Sequence, residues 1–337
     1  MKTSTLILSL VFLTCIGYLV IQKPALPTRL PVLQNYEAEE FLDGTTYLEP
    51  ASIEDGLAVY AVGSGEPVLL LPYPHAHTVE PMAQGPIADA LVGMDRMVIT
   101  FDVPGAYQST REPEGDMDEM LSAAIETLDR MGIDQPIDVV GHSMSGLTAL
   151  AFAVEYPERT NKLVLIGAMS GFPAVLKHGM PKSVWKMTEA DYWRFIFLGL
   201  KVKSGFGTLA DHKRLQNIMS RESYYDKSMF TGLSIEPNDK HQGIPIREKV
   251  WGGNLFNQLD YSDRLSSVKA PTLIVAGRHD PEAPPACSEE LNEGIQSSEM
   301  IIFELSGHYP FLEEPEAFAE VLQQFLNQEQ SAFTISR

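Results

Sequence analysis

From about residue 57 the chain alternates between two hydrophobic patterns. Short uninterrupted apolar runs read as strands: "LAVYAV" at 57–62, "PVLLLPY" at 67–73, "RMVITFDV" at 96–103, "IDVVG" at 137–141, "KLVLIGA" at 162–168, "PTLIVAG" at 271–277 and "EMIIFEL" at 299–305. Runs with no polar face belong to strands covered on both sides, as in a parallel sheet. Between them lie segments with helical spacing. "DMDEMLSAAIETLDRMG" starting at Asp116 has an acidic first turn and a glycine stop at Gly132, and "SGLTALAFAVEYPE", residues 286–295 and the stretch from Glu313 follow the same rule. Strand–helix alternation of this kind predicts an α/β fold with a doubly wound, mostly parallel sheet.

The alternation stops near Ser170 and resumes at 271. The segment between is helical in pattern and rich in aromatics, and its charge differs from the rest. Residues 170–262 carry 13 Lys and Arg against 9 Asp and Glu, so a local excess of +4 leaves −24 for the remainder of a chain whose net charge is −20. That shift marks an inserted helical lid at 170–262. The expected organisation is a signal or anchor segment at 1–23, a connecting segment at 24–54, core at 55–169, the lid, and core again at 263–337.

Other features bound the function. With 45 acidic and 25 basic residues, the chain lacks the clustered cations that nucleic acid requires. The run 6–21, flanked by Lys2 and Lys23, is free of charge. Its length falls between a signal-peptide core and a full span, and no small-residue cleavage site follows. The expectation is an exported protein, anchored in the membrane by this segment or secreted after its removal. Cys15 lies in that run, which leaves Cys287 alone in the folded part, so no internal disulfide and no thiolate metal site is expected.

Ser143 is the first candidate for chemistry. It follows a strand directly and opens a helix in "VVGHSMSG", with Gly141 two residues before it and Ser145 two after. A nucleophile on such a tight turn needs small neighbours, and the helix start aims free N–H groups at the reacting oxygen. A helix-capping serine would produce the same local pattern. The downstream chain separates the two readings. Asp280 stands just past the strand 271–277, and His308 stands past the final strand and before the last helix. Serine, acid and histidine at strand ends, in that order, form a nucleophile–acid–base set.

With these residues the chain resembles the α/β-hydrolase-fold serine hydrolases, in the lid-bearing branch that holds esterases, C–C hydrolases and proline iminopeptidases. The motifs that carry the resemblance are "GHSMSG", "PTLIVAGRHDPEAP", "GHYPFLEEPEAF" and "FDVPG", within about 55–328. It implies an acyl-enzyme mechanism on a small acyl substrate, with no metal and no organic cofactor. A carboxylic ester is the expected substrate. An N-terminal prolyl peptide is the runner-up, and a ligand-binding protein that has lost turnover is a third reading. Oligomeric state is left open. Because Ser143 is not an aspartate, members that attack through a carboxylate are disfavoured.

Three positions depart from the family pattern. Ser145 replaces a usual glycine, and Tyr107 does the same in "DVPGAYQS". The third departure concerns the oxyanion loop, usually H-G-x, which here reads Pro72-Tyr73-Pro74. A proline has no N–H to offer, so a donor must come from elsewhere. Met144 N–H is the expected first donor. For the second, the Tyr73 hydroxyl competes with His75, acting through backbone or ring. In the lid, Trp185, Tyr192, Trp193, Phe195 and Phe197 are expected to form either a pocket lining or the lid's own core. Glu189 and Asp191 resemble the acids with which proline iminopeptidases bind a substrate amine. Asp102, with Pro104 and Gly105, is expected to organise its turn.

Overall fold

A computed structural model of the protein describes residues 50–74, 85–105, 108–112, 114–179, 187–203, 209–230 and 259–328. The 6–21 run, His75, Tyr107 and Trp185 lie outside the described residues. No helix among the described residues is long and apolar enough to cross a membrane.

Eight strands form one sheet: β1 (Ser52–Glu54), β2 (Leu57–Gly63), β3 (Glu66–Leu70), β4 (Arg96–Phe101), β5 (Ile137–His142), β6 (Thr160–Ile166), β7 (Thr272–Gly277) and β8 (Ser298–Phe303). Their order is β1-β2-β4-β3-β5-β6-β7-β8. The pairs from β4 to β8 are parallel, and β2 is antiparallel to both β1 and β4. The helices are α1 (Pro86–Val92), α2 (Met117–Arg130), α3 (Met144–Glu155), α4 (Phe172–His178), α5 (Glu189–Lys203), α6 (Leu209–Glu222), α7 (Pro285–Gly294), α8 (Pro310–Glu313) and α9 (Pro315–Asn327).

The apolar runs behave as their pattern predicts. Successive residues of one strand enter opposite layers: Leu69, Val139, Leu163 and Leu165 pack with α2 and α3, while Val68, Leu70, Val140 and Val164 pack with α1 and α9. Helix α2 starts where its pattern predicts, and Asp116 caps it: the carboxylate accepts Glu119 N–H at 2.8 Å. Two elements were not foreseen. Strand β1 falls inside the segment expected to be only a connection, and α1 is too short to give a helical period. Strand β3 also ends at Leu70 rather than running to residue 73, because the prolines that follow remove ladder donors.

From β3 the chain moves to one side to build β4, then returns past β3 to build β5. This reversal opens a crevice at the carboxyl ends of β3 and β5, the place where doubly wound sheets hold ligands. Tyr73 follows β3 and Ser143 follows β5, so topology alone brings them to the same crevice.

Between β6 and β7 stand α4, α5 and α6. Two rings of the aromatic run lie outside the core of this segment, and Tyr192 and Phe195 are half-buried. Trp193 and Phe197 are 61% and 67% exposed, and Leu198 is the buried residue beside them. Asp191 is not available to a substrate amine either, since its Oδ2 pairs with Arg221 at 2.6 Å and also accepts the Thr188 hydroxyl.

Candidate active site

Ser143 is the single residue between β5 and α3, at φ 54° and ψ −120°. A side chain in this region of backbone space costs on the order of 1–3 kcal/mol and persists only where its surroundings impose it. The surroundings do so here. Ser143 N–H donates to Ile166 O at 2.8 Å. The buried Ser145 hydroxyl accepts from His142 N–H at 2.9 Å and donates to His142 O at 3.0 Å, which ties both sides of the turn together. A Cβ on Gly141 would lie 2.3 Å from Ser145 O, so only glycine permits this approach. The serine that departs from the family pattern therefore helps hold the turn.

The Ser143 side chain makes no capping hydrogen bond to α3, so the capping-serine reading fails. Met144 is the first residue of α3, and its N–H belongs to the first turn, where no intrahelical acceptor exists.

Beside the turn sits a histidine–carboxylate pair. His308 Nδ1 donates to Asp280 Oδ2 at 2.7 Å, and both side chains are almost fully buried. Asp280 Oδ1 accepts two backbone donors, Glu282 N–H at 2.8 Å and Ala283 N–H at 2.9 Å. The pair and the serine meet through β6: Ser143 N–H is bonded to Ile166, and a Cβ on the next residue, Gly167, would stand 3.2 Å from both Asp280 Oδ2 and His308 Nδ1. Burial is the largest influence on the imidazole and pulls its pKa down. The charges of Asp280 and Glu282, the hydrogen bond to Asp280 and the charge of Glu313 outweigh it, raising the value to about 9.

Beside this pair stand His142, to which the sequence assigned no chemistry, and Tyr73, one of the expected oxyanion donors. His142 Nε2 lies 2.8 Å from His308 O, and a carbonyl can only accept. Nε2 therefore carries the proton, and in the neutral ring Nδ1 accepts from the Tyr73 hydroxyl at 2.5 Å. The phenol is held at the mouth of the crevice, pointing its proton at His142. Burial and the Glu282 charge push the Tyr73 pKa up, so it stays protonated.

From the inserted segment, Ser223 O accepts His308 N–H at 2.7 Å. Glu313 gathers Gly307 N–H at 2.7 Å and Tyr225 N–H at 2.7 Å. The segment after α6 is thus fastened to the histidine loop. Nothing in residues 223–225 announces this from sequence. Glu282 and Glu313 could have been marked, because both lie in the motifs around Asp280 and His308.

Two further residues bound the site. Asp102 organises the turn after β4: its Oδ2 accepts the Tyr60 hydroxyl at 2.6 Å and Gln108 N–H at 3.0 Å, and its carbonyl accepts Ser109 Oγ at 2.7 Å. Burial nevertheless pushes its pKa up to about 7, against the pull of those hydrogen bonds. The free thiol of Cys287 is buried, and burial pushes its pKa up to about 12, so it is no nucleophile. Among the described residues no group of three or more His, Cys, Asp or Glu is arranged to hold a metal ion.

Comparison with known proteins agrees with this architecture. The family described as alpha/beta hydrolase fold matches residues 80–315. The 2-hydroxy-6-oxononadienedioate/2-hydroxy-6-oxononatrienedioate hydrolase of Escherichia coli (strain K12) is 31% identical over 248 residues, covering 71% of this chain and 79% of its own length. Its counterpart in Klebsiella pneumoniae is 29% identical over 248 residues, again covering 71% of this chain and 79% of its own length. Among solved structures, an alpha/beta fold family hydrolase from Bacillus anthracis str. Sterne superposes with a TM-score of 0.65 at 20% identity, covering 80% of this chain and 94% of its own. An esterase from Exiguobacterium antarcticum does so at 0.59 and 22%, covering 84% and 99%. A strained residue between β5 and α3, set at the reversal point of a mostly parallel sheet and matched by that family over most of its length, leaves one assignment: the chain belongs to the alpha/beta hydrolase fold family and is a hydrolase.

Proposed function

We propose that the protein is a serine hydrolase that cleaves a carboxylic ester of a small substrate through an acyl-enzyme. The observation that carries this reading is the backbone of Ser143, held at φ 54° with its hydroxyl not used as a cap, beside an imidazole oriented by Asp280.

The reaction follows from the atoms in place. His308, with Nδ1–H held by Asp280, presents the Nε2 lone pair once it has lost its extra proton. It takes the proton of Ser143 Oγ as that oxygen bonds to the ester carbonyl carbon. The carbonyl electron pair moves onto oxygen, where Met144 N–H supplies one donor and Tyr73 or His75 the other. When the C–O bond breaks, the leaving alkoxide takes the proton from Nε2. Water repeats the sequence on the acyl-serine and releases the acid. Tyr73 can act as an oxyanion donor only by turning its proton away from His142, a rotation about a single bond. With the apolar run at 6–21, the site of action is proposed to be outside the cytoplasm, on a membrane or free.

A second reading has a specific observation behind it: the relatives matched above are named as 2-hydroxy-6-oxononadienedioate/2-hydroxy-6-oxononatrienedioate hydrolases. The test that separates catalysis from a binding role is covalent labelling by a fluorophosphonate probe, in the wild type and in Ser143→Ala. Labelling that disappears in the variant is expected. A folded wild-type protein that stays unlabelled would move the reading to a ligand-binding protein; where Ser143 is labelled, a panel of aryl esters beside a dienedioate separates the two hydrolytic readings.

A further inference from the structure

Glu282 has no role in the scheme above, yet it stands at the atom where proton transfer happens. Its Oε2 lies 3.8 Å from His308 Nε2, the ring nitrogen that Asp280 does not hold. The other oxygen, Oε1, accepts the buried Ser223 hydroxyl. Its own N–H is bonded to Asp280 Oδ1. The carboxylate is therefore fixed from the acid loop and from the inserted segment together, while its side chain remains 37% exposed and open to a ligand.

The neighbouring acids are engaged elsewhere. Asp280 holds the ring and two backbone N–H groups. Glu313 holds the backbone of Gly307, Tyr225 and Asp226. Glu282 is different: among the described residues its one ion-pair partner is His308 itself. The charged groups acting on His308 are Asp280, Glu282 and Glu313, all of them carboxylates. Phenol rings stand near the Glu282 carboxylate, whose charge acts on both Tyr73 and Tyr309. Tyr309 lies 5.2 Å from the His308 ring and 4.8 Å from Tyr224, and Tyr73 stands beside His142 at 5.7 Å, centroid to centroid.

A fixed carboxylate beside several phenol rings is the chemistry that recognises an ammonium group, through charge and through the ring faces. Nε2 is the atom that hands its proton to the departing oxygen, so the group next to it meets the leaving half of the substrate.

Resting on the serine-hydrolase reading, we propose that Glu282 is the specificity-determining residue of this site, and that it selects esters whose alcohol carries a positive charge and rejects those whose alcohol carries a carboxylate. A cationic alcohol gives Glu282 a partner other than His308 and leaves Nε2 to Ser143. An anionic alcohol is repelled at the point where the bond must break. The same repulsion disfavours a dienedioate, which bears two carboxylates. Removal of the Glu282 charge also lowers the pKa of His308, because one of the charges that raises it is gone.

The experiment uses the full-length protein and three esters of one short acid: the choline ester, its neutral isostere in which a tert-butyl group replaces the trimethylammonium group, and an ester of an alcohol ending in a carboxylate. Wild-type kcat/KM is expected to fall in that order, by roughly tenfold or more between first and last, as befits one partly solvated charge at close range. In Glu282→Gln the three values should converge to within about threefold, and the rising limb of the pH profile should move to lower pH. Wild-type kcat/KM that is equal across the series, or highest for the anionic ester, overturns the proposal without any variant. An unchanged charge preference in a folded Glu282→Gln overturns it too. These failures are distinct from failure of the underlying reading, in which none of the three esters is cleaved and Ser143 takes no fluorophosphonate label; that result removes both.

Discussion

Replacing Asp280 by asparagine changes one atom, and the structure dictates what the rest must do. In the wild type Oδ1 accepts Glu282 N–H and Ala283 N–H, and Oδ2 accepts His308 Nδ1–H. An asparagine must choose which end carries its NH2. Placing NH2 at the Oδ1 position would face it with two backbone donors, leaving both unsatisfied at a cost of about 1–3 kcal/mol each. The carbonyl oxygen therefore stays at Oδ1, and the NH2 group faces His308. Nδ1 must then accept, so the ring proton sits on Nε2 and the lone pair needed to deprotonate Ser143 is gone. The expected loss is about 10⁴-fold in kcat, or roughly 5 kcal/mol of transition-state stabilisation. The assay is turnover of a neutral aryl ester by Asp280→Asn, with the rate of fluorophosphonate labelling measured beside it and a urea melt to show that the variant folds. A folded Asp280→Asn within tenfold of the wild type would refute the assignment of Asp280, and with it the tautomer argument.

Tyr73→Phe removes a hydroxyl that has two uses. Turnover is expected to fall by about 10²-fold if the phenol serves the oxyanion, with a smaller loss of stability from the bare His142 Nδ1, both read from steady-state kinetics and a urea melt; a near-wild-type rate would move that donor role to His75. Stability should also fall with pH in a defined window. The His308 pKa is raised from 6.5 to about 9, so its contribution, on the order of 3 kcal/mol, is complete below pH 6.5 and lost as pH rises through 9. Asp102, raised from 3.8 to about 7, has its step in the lower window between those values; urea midpoints across pH should show the upper step vanish in His308→Gln and the lower one remain. Lys162→Met tests the opposite end of the sheet. The buried ammonium group donates to Leu326 O at 2.7 Å, Gln328 O at 2.6 Å and Phe325 O at 3.3 Å, at the end of α9, so its loss should cost about 2–4 kcal/mol in urea unfolding while leaving the kcat/KM of the folded enzyme unchanged.

Much of this architecture was legible in the chain because its signals are local. An apolar run such as "KLVLIGA" with no polar face has few places to lie other than the middle of a covered sheet. A serine with small residues two positions before and two after it, between a strand and a helix, marks a tight turn. Ser143, Asp280 and His308 could be placed after strand ends from pattern alone, since Ser143 follows its strand directly and the other two stand within five residues of theirs. The part that was not legible depends on contacts between distant segments. Glu282 and Ser223 are 59 residues apart, His142 and the His308 carbonyl 166, and no periodicity connects them. The aromatic run in α5 misled for a related reason: ring-rich helical spacing indicates an apolar face but not what covers it, and here Trp193 and Phe197 point outward.

These long-range contacts share one consequence. The residues that orient His308 do not all belong to the sheet that carries it. Ser223 holds its backbone N–H, and Tyr225 stacks on His279 of the acid loop at 4.4 Å. Glu313 ties Gly307 to the same stretch of chain. The fit is close enough that a Cβ on Gly307 would stand 2.1 Å from Ser223 O. A stretch of the inserted segment is therefore a wall of the histidine loop as well as a neighbour of the crevice. Because Ser223 also fixes Glu282, any movement of the segment after α6 changes two things together: where the imidazole points, and where the carboxylate beside Nε2 stands. The serine and its turn are built entirely by β5, α3 and β6. In this fold the proposed nucleophile is thus held by two strands and the helix that follows the first of them, while the proposed base and the carboxylate beside it are held jointly by the loops of the sheet and by the insertion.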